Sequence, residues 1–311
     1  MKNEWAFFIV LSILGVLGSL TFLLLNSNLV PKKGKSPPRT DIFINKTIIP
    51  VGWFANTEIQ ESSSLAYFKG HSNVLWTAND SGGLPVIYPF AVDGSEPEDL
   101  QPLKILGVQN KDWETFAYDQ NGSILYIGDV GNNQNKRADL IIHSIKIPNK
   151  LENIISLRPD KSFNVYFEDQ KAFPPQKLYF DCEAILVLQK KLLFLTKHRG
   201  NTDTTIYILK SPESGLLQKK MTLPVRGQVT GASQSPNEEK VAILTYRGIW
   251  VFEAFDDPMT FWKGSIRYRE VNILQCEAIT FTDAQTLWIT NEQGAIFSIE
   301  VSDIPRIENP F

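Results

Sequence analysis

The sequence contains few of the residues that build common metal and redox centres. Its 311 residues include two cysteines, Cys182 and Cys276, and three histidines, and neither cysteine belongs to a CxxC pair. A disulfide framework and a zinc site are therefore not indicated. A GxSxG motif is also absent, which argues against a serine hydrolase with a nucleophile elbow. The net charge of -3 comes without a stripe of basic and aromatic residues, so nucleic acid is not an expected partner.

One long apolar run is present, close to the N-terminus. Residues 5–25, "WAFFIVLSILGVLGSLTFLLL", carry no charge, and as a helix they match the roughly 30 Å hydrocarbon layer of a bilayer. We predict a transmembrane helix or signal anchor over residues 1–26. The alternative is a cleaved signal peptide, whose apolar region is usually shorter and ends in a small-x-small site. Residues 27–40, which include "PKKGKSPP", are predicted to be a polar linker.

The charges around this run bear on its orientation. Lys32, Lys33, Lys35 and Arg39 follow it, whereas only Lys2 and the amino terminus precede it. The positive-inside rule would then keep the rest of the chain in the cytoplasm.

From about residue 41 the chain reads as an all-β domain. Short runs rich in Val, Ile, Tyr, Phe and Trp alternate with Gly, Asn, Asp and Pro, and no convincing helical period appears. Five segments share one hairpin pattern, and each is followed by a third strand-like run; the hairpins are residues 63–80, 114–130, 183–198, 231–247 and 277–292.

This repeat predicts a β-propeller. The first residues of the five hairpins are separated by 51, 69, 48 and 46 positions, which is the size of a four-stranded blade. We predict that residues 41–311 form five four-stranded blades, with residues 41–53 completing the last one. Six blades is one alternative, because residues 54–61 or the long 114–183 interval can hold an irregular blade. A β-sandwich is another, but it does not explain the repeat.

Polar residues recur where these hairpins begin and end. In an antiparallel pair, the start of the first strand and the end of the second lie together, so a propeller brings all five such ends to one face. The expected result is a ring of acids at the channel mouth with a basic patch on one side. Calcium, which takes six to eight oxygen ligands, is a candidate occupant, with Glu114, Glu183, Glu277 and Asp129 as ligands. The alternative is that each Glu caps a strand and hydrogen-bonds the neighbouring blade.

Several motifs together are similar to those of a group of largely uncharacterised bacterial propeller proteins. They are "LWTANDSGG", "DWETFAYDQNGSILYIGDVGNN" with Arg137, "DCEAILV", "VTGASQSPNEEKVAILTYRGIWVF" and "QCEAITF". The resemblance implies an exported propeller, and so a single-pass membrane protein with its large domain on the periplasmic or extracellular side. It also implies a distant likeness to calcium-dependent propeller hydrolases such as phytases, paraoxonases and gluconolactonases. Thr115 and Asn132 replace two acids of the usual pattern.

Two functions follow from these observations. The first is a membrane-anchored propeller that binds a small molecule, a glycan or a protein on its polar, calcium-holding face. The second is a calcium-dependent hydrolase of phosphate or carboxylate esters, in which the metal polarises the substrate or activates water and His198 is the general base. In both, the predicted ligand-binding residues are Asp80, Lys197, Arg199, Arg247 and Glu292.

Overall fold

Strands form most of the regular structure in this computed structural model, which describes residues 48–71, 73–308 and 310. The predicted anchor and linker lie outside these residues. Within them, no helix has the length and apolar character needed to cross a membrane.

The described elements include two short 3-10 helices, Pro258–Lys263 and Val301–Asp303. The strands, in chain order, are β1 (Gly52–Trp53), β2 (Ser62–Ala66), β3 (Val74–Asn79), β4 (Val86–Ala91), β5 (Leu103–Ile105), β6 (Trp113–Asp119), β7 (Ile124–Asp129), β8 (Leu140–Lys146), β9 (Ser156–Leu157), β10 (Lys161–Phe167), β11 (Asp181–Leu188), β12 (Lys191–Lys197), β13 (Thr204–Leu209), β14 (Leu216–Leu223), β15 (Val229–Gln234), β16 (Lys240–Thr245), β17 (Gly248–Glu253), β18 (Ser265–Glu270), β19 (Cys276–Phe281), β20 (Thr286–Asn291), β21 (Ala295–Glu300) and β22 (Arg306–Ile307).

The repeated hairpins and third strands occur where the sequence predicted them. The antiparallel triplets are β2–β3–β4, β6–β7–β8, β11–β12–β13, β15–β16–β17 and β19–β20–β21. The first strand of each triplet is almost entirely buried, because it lies between neighbouring sheets. A polar turn separates the first and second strands in each case, as the pattern of apolar runs and turn residues indicated.

Outer strands extend these triplets into larger sheets. β5 and β9 follow β4, and β18 and β22 follow β17. β10 pairs with β8 and, in parallel, with β14, so two four-stranded units form one eight-stranded sheet. The N-terminal β1 pairs with β21 near the other end of the chain, as the sequence predicted for the strand-rich stretch that ends at Trp53.

The five first strands contact one another in a closed cycle. β2 lies against β6, β6 against β11, β11 against β15, β15 against β19, and β19 returns to β2. Closure of repeated antiparallel sheets around a central channel is the architecture of a β-propeller. The sequence prediction of an all-β propeller is therefore confirmed at this level.

The hydrophobic core lies between successive sheets. One cluster joins Leu186 and Leu193 to Trp250 and Phe252, and another joins Trp76 to Trp113. Trp76 and Trp250 are buried, while Trp288 is partly buried against a third cluster. Both cysteines are free and buried. Apolar burial between the sheets thus holds the ring of first strands in place.

Candidate ligand-binding site

Each of the five first strands has a β-bulge at the same repeat position. The regular pairing with the second strand skips one residue in every case, and these residues are Ser63, Glu114, Glu183, Thr230 and Glu277. A bulge inserts an extra residue into one strand and redirects its side chain. The repeated bulge therefore turns equivalent side chains toward one end of the channel.

Four of these five residues line a cavity of about 120 Å³. Acids dominate its wall, with one lysine, one arginine and one tyrosine among them. The lining residues are Glu61, Ser62, Ser63, Asp80, Glu114, Asn133, Glu183, Lys197, Arg199, Tyr246, Glu277 and Glu292. Seven of the ten residues predicted to form the site thus lie together here, whereas Asp129, His198 and Arg247 are not part of the lining.

Glu183 is neutralised by two basic residues. Its Oε2 lies 2.9 Å from Nζ of Lys197, and the two side chains are only 2% and 3% exposed. Its Oε1 accepts a hydrogen bond from Nη2 of Arg199 at 3.3 Å. Arg199 also donates from Nε to Oδ2 of Asp181 at 2.6 Å, and the backbone N–H of Asn132 donates to Oδ1 of Asp181 at 2.7 Å. This basic corner therefore consists of two cations that are already paired with two buried acids.

Glu277 is held by a tyrosine. The hydroxyl of Tyr246 donates to Oε1 of Glu277 at 2.6 Å, and Nζ of Lys197 lies 4.9 Å from the centre of the Tyr246 ring. Burial raises the pKa of Glu277 to about 8, while Lys197 opposes this rise and the Glu183 charge adds to it. Glu277 is therefore largely protonated near neutral pH.

A trio of acids, two of which line the cavity, lacks such partners. One carboxylate oxygen each from Asp80, Asp112 and Glu114 lies within 4.8 Å of the other two. The side chain of Glu114 is 9% exposed, and among the described residues no hydrogen bond or ion pair reaches its carboxylate. Arg137 approaches Asp112 only to 3.9 Å. Glu114 is thus a buried carboxylate close to two more acids.

The pKa values of this acid trio respond to burial and mutual repulsion. Burial raises the pKa of Asp80 and of Asp112 to about 6, from an ordinary value of 3.8. Burial, followed by the charges of Glu183, Asp80 and Asp112, raises the pKa of Glu114 well above its usual range. At neutral pH Glu114 therefore either keeps its proton or receives a cation.

The loop after β7 closes over the trio. The backbone of Gly131 passes so near the acids that a β-carbon there would lie 2.4 Å from Cγ of Asp112 and 2.5 Å from Oε1 of Glu114. Arg137 holds this loop by donating from Nη1 to the Gly131 carbonyl at 2.8 Å. Only glycine allows this approach. The acid trio can therefore pack against the loop because residue 131, in the "GDVGNN" motif, is a glycine.

The three predicted site residues outside the cavity make other contacts. Asp129 accepts a hydrogen bond from Nη2 of Arg137 at 2.7 Å. His198 is 2% exposed; its ring nitrogens lie 3.1 Å from Oδ1 of Asn201 and 2.9 Å from Oγ1 of Thr205. Burial lowers the pKa of His198. Arg247 is exposed on the surface.

Two acids of the site were not selected from the sequence. Asp112 and Asp181 both stand two residues before a bulge glutamate, in "DWE" and "DCE". This shared spacing was the available signal. In both strands the register shift lies just after this position, between Trp113 and Thr115 and between Cys182 and Ala184.

The other end of the channel is bridged by an amide side chain. Gln234, the last residue of β15, donates from Nε2 to the carbonyl of Tyr118 in β6 at 3.1 Å. Its Oε1 accepts from the backbone N–H of Val187 in β11 at 3.3 Å. Gln234 therefore ties three first strands together at the end opposite the cavity.

A larger groove of about 720 Å³ lies along residues 236–240, 253–255 and Arg306. Its buried acid, Glu253, accepts hydrogen bonds from Nε of Arg267 at 2.8 Å and Nη2 of Arg306 at 3.1 Å. Because this charge is fully paired, the smaller cavity is the better candidate for a binding site.

Comparison with known proteins gives only remote likenesses. No protein-family model matches the chain, and no curated protein matches its sequence. The chain is similar to a chain in the crystal structure of a nidogen/laminin complex, with a TM-score of 0.47 and 12% identity over 80% of each chain. It is also similar to the PQQ-bound form of an aldose sugar dehydrogenase from Streptomyces coelicolor, with a TM-score of 0.47 and 10% identity over 82% of this chain and 97% of that one.

Proposed function

We propose that this protein is a ligand-binding β-propeller of five four-stranded blades whose cavity holds a calcium ion. In this assignment β1 completes the blade of β19–β21, and the eight-stranded sheet contains two blades joined through β10 and β14. The six-blade alternative has no additional triplet of strands to use within the described residues. The single observation that supports calcium is the buried Glu114 carboxylate, which faces Asp80 and Asp112 without a basic partner.

The proposed ligand set differs from the one expected from the sequence. Glu183, Glu277 and Asp129 have Lys197, Tyr246 and Arg137 as partners, so of the four predicted ligands only Glu114 is assigned to the metal. Asp80 and Asp112 complete the set. Three carboxylates supply part of the six to eight oxygen ligands that calcium takes, and water or a bound ligand supplies the others. A divalent cation there offsets the cost of burying three acids together.

The size of the cavity favours a small ligand. A volume of about 120 Å³ is several times the roughly 10–15 Å³ that one water molecule needs, so the cavity has room for a small molecule. Anchoring through residues 5–25 and export of the propeller remain part of the proposal. The hydrolase alternative gains no support from His198, because both of its ring nitrogens already have hydrogen-bond partners.

A calcium titration tests the proposal. Millimolar calcium is expected to raise the thermal midpoint of the wild-type protein, since it binds the folded state preferentially. Glu114→Gln removes the central carboxylate and is expected to abolish the shift. Glu152→Gln, an exposed acid outside the cavity, is the matched control and should keep it. A wild-type protein with no calcium-dependent shift would refute the metal assignment, and esterase or phosphatase activity of the calcium-loaded protein would favour the hydrolase.

A further inference from the structure

The charges around the cavity are arranged by the order of the first strands. Glu61 immediately precedes β2, and Glu292 immediately follows β20 of the β19 sheet. β2 and β19 are neighbours in the ring, whereas β11 is two steps away from both. Lys197 and Arg199, at the end of β12, belong to the β11 sheet. An acidic side and a basic side of the cavity therefore face each other across the channel.

The acidic side has no cation of its own. Among the described residues no ion pair involves Glu61 or Glu292. Glu277 accepts a hydrogen bond from the Tyr246 hydroxyl and shares a hydrogen bond with Glu292, so Glu61 and Glu292 carry the negative charge of this side. Burial and the neighbouring Glu61 charge raise the pKa of Glu292. A ligand with a positively charged hydrogen-bond donor would relieve this repulsion, and an ammonium group brings three donors.

The basic side keeps donors for a ligand. Arg199 uses Nε and Nη2 on Asp181, Glu183 and Asn133, while Nη1 makes no hydrogen bond within the described part of the chain. The Arg199 side chain is 28% exposed and lines the cavity. The N–H groups of Nη1 are left for a ligand, and a guanidinium forms strong, charge-assisted hydrogen bonds with a carboxylate. Lys197, in contrast, is engaged with Glu183 and with the hydroxyl of Tyr246.

We propose that the cavity binds a small zwitterion of the amino-acid class. Its ammonium group lies between Glu61 and Glu292, and its carboxylate lies at Nη1 of Arg199. This inference rests on the proposed ligand-binding function and specifies the ligand class. A molecule with only one of the two charges loses the contacts at one wall, so recognition requires both ends and a matching separation between them.

Binding of a homologous series to the full-length, calcium-loaded protein tests this proposal. The probes are glycine, β-alanine and γ-aminobutyrate, which differ in the separation of the two charges, measured by calorimetry. Each is matched by a carboxylate and an amine of the same length. We expect at least one zwitterion to bind about tenfold more tightly than both of its matched analogues. If no zwitterion exceeds its analogues, the proposal is wrong.

Two substitutions locate the ends of the ligand. Glu292→Gln is expected to weaken zwitterion binding about tenfold, and Arg199→Lys to weaken it by a similar factor, whereas Glu152→Gln should not change it. Unaltered zwitterion affinity in both cavity variants would contradict the assigned orientation. The calcium shift of the wild-type protein without any zwitterion is measured separately, so a failure of the metal assignment and a failure of the ligand assignment are distinguishable.

Discussion

Asp80→Asn should stabilise the calcium-free protein at neutral pH. The substitution removes a charge from the acid trio and retains an oxygen that accepts the Ser81 backbone N–H, which donates to Oδ1 of Asp80 at 2.5 Å. Burial raises the pKa of Asp80 from 3.8 to about 6. At about 1.4 kcal/mol per pKa unit, this shift corresponds to about 3 kcal/mol of lost stability when the group is ionised.

The sign and the pH range of this effect follow from linkage. An acid whose pKa is higher in the folded state binds its proton more tightly there, so ionisation destabilises the fold. The destabilisation by Asp80 is small below the unfolded pKa of 3.8, grows as the pH rises, and is fully present above the folded value of about 6. The stabilising effect of Asp80→Asn should therefore be largely absent near pH 4, grow between about pH 4 and pH 6, and be complete above that range.

Urea denaturation of a fragment spanning residues 45–311, which forms one compact unit, measures this effect. In a chelator near pH 7.5, we expect the variant to be more stable than wild type by about 1–3 kcal/mol. With saturating calcium the wild type should become more stable than the variant, because only the wild type keeps the full ligand set. A variant that is less stable than wild type without calcium at this pH would refute the argument that Asp80 is an uncompensated charge.

Three further predictions concern the rest of the site. Gly131→Ala should abolish most of the calcium-dependent rise in thermal midpoint, because its β-carbon would displace Asp112 and Glu114, whereas Gly200→Ala, with its nearest neighbour at 3.7 Å, should retain it. Lys197→Met should lower the free energy of unfolding in urea by about 3–5 kcal/mol, since it leaves Glu183 buried without its closest cation; Lys161→Met, which removes an exposed ion pair, should cost less than about 1 kcal/mol, and equal losses would contradict this reasoning. His198→Asn should lower the thermal midpoint but leave its calcium-dependent rise intact, and loss of the rise would place His198 in the binding site.

Much of the fold was predictable because its signals are local and repeated. Alternating apolar runs, polar turns and a spacing near 50 residues predict antiparallel hairpins in series. Each predicted hairpin is followed by a third strand, as in β8 and β17. Pairing of β1 with β21 was also predictable, since a repeat that closes on itself leaves one strand position for the N-terminal segment.

The candidate site was predictable only in part. Asp80, Glu114 and Glu183 were predicted to lie near one another from their positions at strand starts and ends, because hairpin geometry alone brings these positions to one end. The same rule selected His198 and Arg247, which lie outside the cavity. A strand end spans several residues that point in different directions, and the choice among them depends on bulges and on side-chain packing.

The sequence by itself determined the all-β repeat and the supply of acids at one end of it, because these depend on the order and spacing of residues along the chain. The tertiary structure decided which acids are paired. Lys197, Tyr246 and Arg137 take Glu183, Glu277 and Asp129 as partners. The closed ring brings Asp80, Asp112 and Glu114 together without a comparable cation. Whether a charge is compensated depends on a few ångströms between side chains, and only the folded ring sets those distances.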